Sequence, residues 1–446
     1  MKTLLQNGLV IDPLNRLTQV ADVLIDDGGR IERIAPGIRD EEAVRVDATG
    51  WIVSPGWVDL HVHFRDPGYP EKETIESGSR AALAGGFTAV VMMPNTRPAI
   101  DSPEVVVSVL EKARRVSPIH VYTSAAITRG LLGREMTDLK ALAAAGAVTF
   151  TDDGKTVMDP LLLFRAFETA RELGLPISSH CEDHHFVREG AFHRGAVSAA
   201  LGDPGIHPLG EELIIARDIL MAEATGARLH IQHVSTARGV QLIREAKARG
   251  VRVTAEATPH HFSLTHEVAL RVGTLSKVNP PLRTEEDVEA VIRGLRDGTI
   301  DAIATDHAPH TLEEKRRPIA EAPFGMVGLE TCAGLAFTRL VHTKRMAFED
   351  VIAKLTIHPA RIFNLPHGRL DIGGWADVTV VDPSYEWTVD AERFYSKSRN
   401  TPFHGMRLTG KVVLTMVKGR ILYADRDYFR QTGRAVDPML LTEAVG

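Results

Sequence analysis

Four histidines and two aspartates are distributed along the chain in a way that suits metal-assisted hydrolysis: His61, His63, Asp153, His180, His233 and Asp306. Imidazole and carboxylate together form the donor set of zinc and related divalent ions. Such an ion polarises a carbonyl and activates water near neutral pH. The stretch "GWVDLHVHFRDPG", residues 56–68, shows how the first pair is presented. Alternation places Val58, Leu60, Val62 and Phe64 on one face and Asp59, His61, His63 and Arg65 on the other, which predicts a β-strand. Residues i and i+2 of a strand lie about 7 Å apart at ~3.4 Å rise per residue, so His61 and His63 can reach one ion. Whether that polar face meets water or lines a site depends on the other strands.

Seven further β-rich apolar runs follow: "FTAVVMM" (87–93), "IHVYTSA" (119–125), "AVTFTD" (147–152), "LPISSH" (175–180), "RLHIQHV" (228–234), "VRVTAEA" (251–257) and "IDAIATD" (300–306). Amphipathic helical patterns separate them, several closed by Gly, with Ser102-Pro103 and Asp159-Pro160 as starts. Eight β/α units predict a (β/α)8 TIM barrel, with an open doubly wound sheet as the alternative. A doubly wound sheet would gather its special residues at one switch point, whereas a barrel brings all eight strand ends to one face. Here they are spread over many ends. His61, His63 and Arg65 close the first strand, Asn95 follows the second, Asp153 the fourth, and His180 the fifth. His233 lies at the end of the sixth, Asn279 follows the seventh with His260 and His261 before it, and Asp306 and His310 end the eighth. In a barrel these converge on one cavity, and the polar face of the first strand lines a metal site. Asp153 is the carboxylate placed to bridge two ions, with His180 and His233 on the second.

The chain ends have a different texture. Residues 1–53 and 366–446 hold short strand-like runs between Gly, Asp and Asn turns, and are expected to form one small β domain around a barrel at 54–365. The composition, 44% hydrophobic and 25% charged, is that of a globular protein. A formal charge of −6 argues against non-specific nucleic-acid binding. No window approaches the ~18 apolar residues of a membrane span. The start does not read as a signal peptide, and the two cysteines, Cys181 and Cys332, exclude a disulfide framework. A cytoplasmic location is expected.

The motifs "VDLHVHFRDPG", "MMPNT", "GKTVMDP…SSHCED", "IQHVST", "TPHH", "VNPPLR" and "ATDHAPH" resemble the amidohydrolase superfamily, and within it the long-chain bacterial dihydroorotases, over nearly the whole chain. The resemblance implies a zinc-dependent cyclic amidase of pyrimidine biosynthesis, interconverting N-carbamoyl-L-aspartate and L-dihydroorotate, with one or two zinc ions per chain. It implies a first zinc at His61, His63 and Asp153, and a second at Asp153, His180 and His233. Asp306 matches the catalytic carboxylate, close to the metal. It also implies substrate contacts from His63, Arg65, Asn95, Asn279, His310 and the backbone of Phe324-Gly325. Relatives such as hydantoinase, dihydropyrimidinase and allantoinase bridge their metals with a carboxylated lysine; "GAVTFTDDG" has none, and Asp153 stands there, as in the long-chain dihydroorotases. The second ion is expected to be the more weakly held, since Asp reaches less far. Another cyclic amidase, or a silent paralogue supporting aspartate transcarbamoylase, is the alternative; retention of all six ligand positions weighs against silence. A homodimer and a complex with aspartate transcarbamoylase are both compatible with the resemblance. His307 and Cys181 are expected to face away from the metal, and loop 311–325 to act as a lid.

Overall fold

The computed structural model describes residues 1–187 and 189–440. One eight-stranded sheet takes strands from both ends of the chain. These are β1 (Thr3–Asp12), β2 (Leu17–Ile25), β3 (Ile31–Ala35), β4 (Val44–Asp47) and β5 (Ile52–Pro55), joined by Val378–Thr388, Arg407–Val417 and Arg420–Ala424. It forms a small β-sandwich around Trp51, Val53, Val378, Val380, Leu414 and Met416. β5 is the seam: it runs parallel to β1, and Ile52–Pro55 pair antiparallel with Val378–Val381. The boundary expected at residue 53 therefore falls inside a strand whose Pro55 still faces Val378.

The chain then enters a TIM barrel through β6 (Trp57–Val62), β7 (Phe87–Met92) and β8 (His120–Thr123), and continues through β9 (Ile177–Ser179), β10 (Leu229–Ile231), β11 (Val253–Ala257) and β12 (Ala302–Ile303). All pairings among these are parallel. Every residue of β7 is buried, as expected of a parallel strand covered on both faces. The run 147–152 supplies the remaining barrel strand: the Val148 and Thr151 N–H groups donate to the carbonyls of Thr123 and Ala125, and the Phe150 carbonyl accepts from the Ser178 N–H. Phe150 bridges Ala125 on one side and Ile177 on the other, both in parallel. At its end the Asp152 carboxylate accepts from the Thr128 N–H at 3.0 Å. A parallel bridge from Val62 to His307 closes the barrel.

The helices begin where the sequence says. Pro160–Leu173 starts on Asp159, whose carboxylate accepts from the N–H groups of Leu161 and Leu162, and ends on Gly174 at φ +67°. Pro103–Val116 starts after Ser102, although the Ser102 hydroxyl makes no capping bond. No helix among the described residues is long and apolar enough to cross a membrane.

Candidate metal centre

β6 ends at Val62, one residue short of His63. Up to that point the alternation holds, and His61 is buried on the barrel's inner side. Asp59 shares that face but serves the fold: it accepts from the N–H groups of His61 and Thr305, both at 3.1 Å. Beyond Val62 the period-two rule no longer applies. Arg65 has φ +57°, the left-handed region that side chains with a Cβ rarely adopt. Its guanidinium reaches the site through that turn rather than through strand alternation. His233 (φ +32°) and Asp306 (φ +48°) share the same unfavourable region. Such backbone costs of order 1–3 kcal/mol each and is stored where a side chain must be aimed.

Four donors form a tight group. His61 Nε2 lies 3.3 Å from Asp153 Oδ1 and 3.5 Å from Asp306 Oδ1; His63 Nε2 lies 3.0 Å from Asp306 Oδ1 and 3.4 Å from Asp153 Oδ2. Donors ~2.0–2.2 Å from a tetrahedral zinc stand roughly 3.3–3.5 Å apart, so these separations suit a shared ion; within 4.8 Å the donors fall into two trios that share His61, namely His61–His63–Asp306 and His61–Asp153–His233. The second group is looser: His180 Nδ1 and His233 Nε2 lie 3.8 and 4.0 Å from Asp153 Oδ1, and 3.0 Å from each other.

His61 Nε2 and Asp153 Oδ1, 3.3 Å apart, are buried with no hydrogen-bond partner. Buried polar atoms without partners are rare, and two that face each other in one cluster indicate donors built for a cation. The charges agree. Burial alone would strip His61 of its proton, but Asp153 and Asp306 outweigh it and raise the imidazole well above its ordinary pKa. The surrounding carboxylates thus draw positive charge to this point.

A cavity of about 210 Å³ opens over the cluster, lined by His63, Arg65, Asn95, Asp153, His180, His233, Asn279, Asp306, His310, Phe324 and Gly325. A larger hollow of about 840 Å³, bordered by Trp387, Tyr395 and Lys411, shares none of these residues.

The family described as "Dihydro-orotase-like" matches residues 50–239. A dihydroorotase from Pelotomaculum thermopropionicum is 49% identical, over 96% of this chain and 99% of its own. The chain belongs to the dihydroorotase family. A second dihydroorotase, from Syntrophus aciditrophicus, is 46% identical over 95% of this chain and all of its own. Among solved structures, an L-hydantoinase (dihydropyrimidinase) from Arthrobacter aurescens superposes with TM-score 0.84 at 28% identity, covering 95% of this chain and 96% of that one. Family and donor set together imply a divalent metal in this dihydroorotase-family chain.

Around this cluster the neighbouring side chains make further contacts. The side chain of Asn95 meets His63 Nδ1 at 2.8 Å and Asp153 Oδ2 at 3.4 Å, so it orients ligands as well as lining the cavity. Asn279 donates to Glu182, and its amide lies 3.4 Å from His180 Nε2. His307 faces away, between Glu73 and the Gly328 N–H. Cys181 also turns aside, towards Ser179. His261 is held by Thr258 and the Pro280 carbonyl. In the loop 311–325, Lys315 is buried and donates to the carbonyls of Lys277, Pro323 and Gly325. That anchor makes Phe324 and Gly325 part of the cavity wall.

Sequence reasoning missed Glu182, Lys72 and Glu256. Glu256 Oε1 lies 2.7 Å from His61 Nδ1, and Oε2 lies 3.0 Å from His230 Nε2. Burial would raise this carboxyl, but the bonds to His230 and His61 outweigh it and bring its pKa down to about 2. An ionised Glu256 fixes the proton of His61 on Nδ1 and turns Nε2 towards the cluster. The signal was available: one carboxylate inside the apolar run "VRVTAEA". Removing such a partner typically costs ~10–100-fold in metal affinity. Glu256→Gln, which keeps the shape, should weaken the metal by that factor in a chelator competition. Unchanged affinity would leave Glu256 as a buried spacer.

Proposed function

We propose that this chain is a zinc-dependent dihydroorotase, reversibly cyclising N-carbamoyl-L-aspartate to L-dihydroorotate, and that the cluster around Asp153 is its active site. The observation that carries the reading is the pairing, in one small cavity, of a cation-seeking His/Asp cluster with a buried arginine that forms no ion pair among the described residues, though the charges of Asp306 and Asp153 favour its cation. Zinc held by His61, His63, Asp153 and Asp306, with His180 and His233 available to a second ion, would polarise the amide carbonyl and lower the pKa of water.

The chain's own groups do the rest. In the opening direction a water oxygen adds to the ring amide carbon and the C–N bond breaks. Asp306 takes a proton from that water and delivers it to the departing nitrogen. In the closing direction the same carboxyl returns the proton as water leaves. Arg65 binds the substrate carboxylate with its fork. Its Nη2 lies 3.1 Å from His310 Nε2, while Lys72 Nζ lies 3.3 Å from His310 Nδ1. Burial, reinforced by the Arg65 and Lys72 cations, holds His310 neutral, with its pKa well below the ordinary value. A neutral ring accepts from Arg65 without repelling it.

The fold neighbours suggest hydantoin hydrolysis as a second reading, yet hydantoin and dihydrouracil offer Arg65 no carboxylate. The barrel cluster of purified protein should carry one to two zinc ions, and the protein should lose activity on chelation and recover it with zinc. It should turn over dihydroorotate while nearly ignoring dihydrouracil, hydantoin and allantoin. Full activity in a metal-free preparation, or preference for a ring without the carboxylate, would overturn the proposal.

A further inference from the structure

At the opposite end of the barrel, three more donors converge. His120 opens β8 and pairs with Ala89 near the start of β7, so it lies where the strands begin. Its Nε2 is 3.0 Å from Asp377 Oδ2. His367 Nδ1 is 3.6 Å from the same oxygen. The two imidazole centroids are 4.4 Å apart, and the three ligand atoms lie within 4.8 Å of one another.

We infer that His120, His367 and Asp377 form a separate transition-metal site, of the zinc class, which ties the base of the barrel to the terminal β-sandwich. The two measured donor separations bracket the roughly 3.3–3.5 Å expected around a tetrahedral zinc. Two imidazoles with one carboxylate suit zinc, nickel or copper and disfavour magnesium or calcium, which prefer oxygen alone.

The supporting contacts are those of a metal site. The Tyr122 hydroxyl lies 2.8 Å from His367 Nε2. A hydroxyl can donate or accept. With Nδ1 protonated, His367 donates to Asp377 and accepts from Tyr122. When an ion takes Nδ1, the ring's single proton moves by way of solvent to Nε2, which then donates to the Tyr122 oxygen instead. The tyrosine therefore satisfies both forms. The other Asp377 oxygen is fixed by the Lys418 N–H at 2.8 Å, and the Asp377 carbonyl accepts from the Gly56 N–H just before β6. Side-chain exposures of 20% for His120, 14% for Asp377 and 8% for His367 leave a path for the ion and room for water as the fourth ligand.

The site shares no residue with the cluster around Asp153, so zinc counting tests it apart from the proposed reaction. Metal-stripped protein reloaded with zinc should bind one equivalent more than His120→Gln or His367→Gln. Neither variant should change dihydroorotate turnover at saturating zinc. Zinc should raise the thermal midpoint of protein already blocked at the barrel site by Asp153→Ala, which removes the carboxylate that both barrel ions would share, and that rise should vanish when His367→Gln is added. Crystals of the unaltered chain soaked in zinc should show an anomalous peak between His120, His367 and Asp377, which needs no variant to fold. No peak there, at a zinc concentration that fills the barrel cluster, would overturn the inference, as would equal zinc counts in folded variants.

Discussion

Replacing Asp306 by Asn should lower kcat by at least about 10²-fold, and by up to ~10⁴-fold, while bound metal is largely retained. General acid–base groups typically supply this range. The substitution is chosen from the geometry. Asp306 sits at φ +48°, a conformation that Asn tolerates about as well as Asp, so the backbone turn survives. The amide oxygen can still occupy the place of Oδ1, 3.0 Å from His63 Nε2. What the amide cannot do is carry a proton between water and the ring nitrogen. Metal analysis must accompany the kinetics, since the same oxygen belongs to the donor cluster. A near-normal kcat with metal bound would assign the proton to another group. A loss of metal in step with activity would make Asp306 chiefly a ligand.

The site's components could be read from the sequence because a barrel turns a local signal into a spatial one. Period-two runs mark strands, strand ends share one face, and His61, Asp153, His180, His233 and Asp306 stand at such ends. What could not be read depends on contacts between distant residues. Nothing local to "VRVTAEA" says that Glu256 meets His61, 195 positions away. Strand alternation assigned Arg65 to the His61 face, but the strand stops at Val62 and a left-handed residue completes the placement. Asn95 and Asn279 line the cavity, and their side chains also reach His63, Asp153 and Glu182, contacts that no local pattern announces.

Arg65→Met should separate substrates rather than abolish chemistry. Dihydroorotate differs from dihydrouracil by a ring carboxylate, so discrimination requires a cation that recognises it. Arg65 lines the cavity, and no carboxylate among the described residues forms an ion pair with it. Lys72, its nearest competitor, is engaged by Glu314 at 2.8 Å. Hydrogen bonds to a charged group contribute roughly 1.5–3 kcal/mol each. Two from one guanidinium fork amount to about 3–6 kcal/mol, or about two to four powers of ten at ~1.4 kcal/mol per tenfold. The variant should therefore lose about that much kcat/KM for dihydroorotate. Residual turnover of dihydrouracil, which never used the cation, should hardly move. Methionine is unbranched and fills much of the same space, and Arg65 contacts none of the donor atoms, so metal content should stay near the unaltered value. Arg65 Nε also donates to the Pro309 carbonyl at 3.2 Å, so some stability is lost, and kinetics belong below the variant's melting range. Arg65→Lys is the companion: it keeps the charge but loses the planar fork, and should fall between the two. Equal losses on both substrates would mean that Arg65 supports the site's shape. Unchanged dihydroorotate turnover would remove Arg65 from substrate recognition and return weight to a hydantoinase-like specificity.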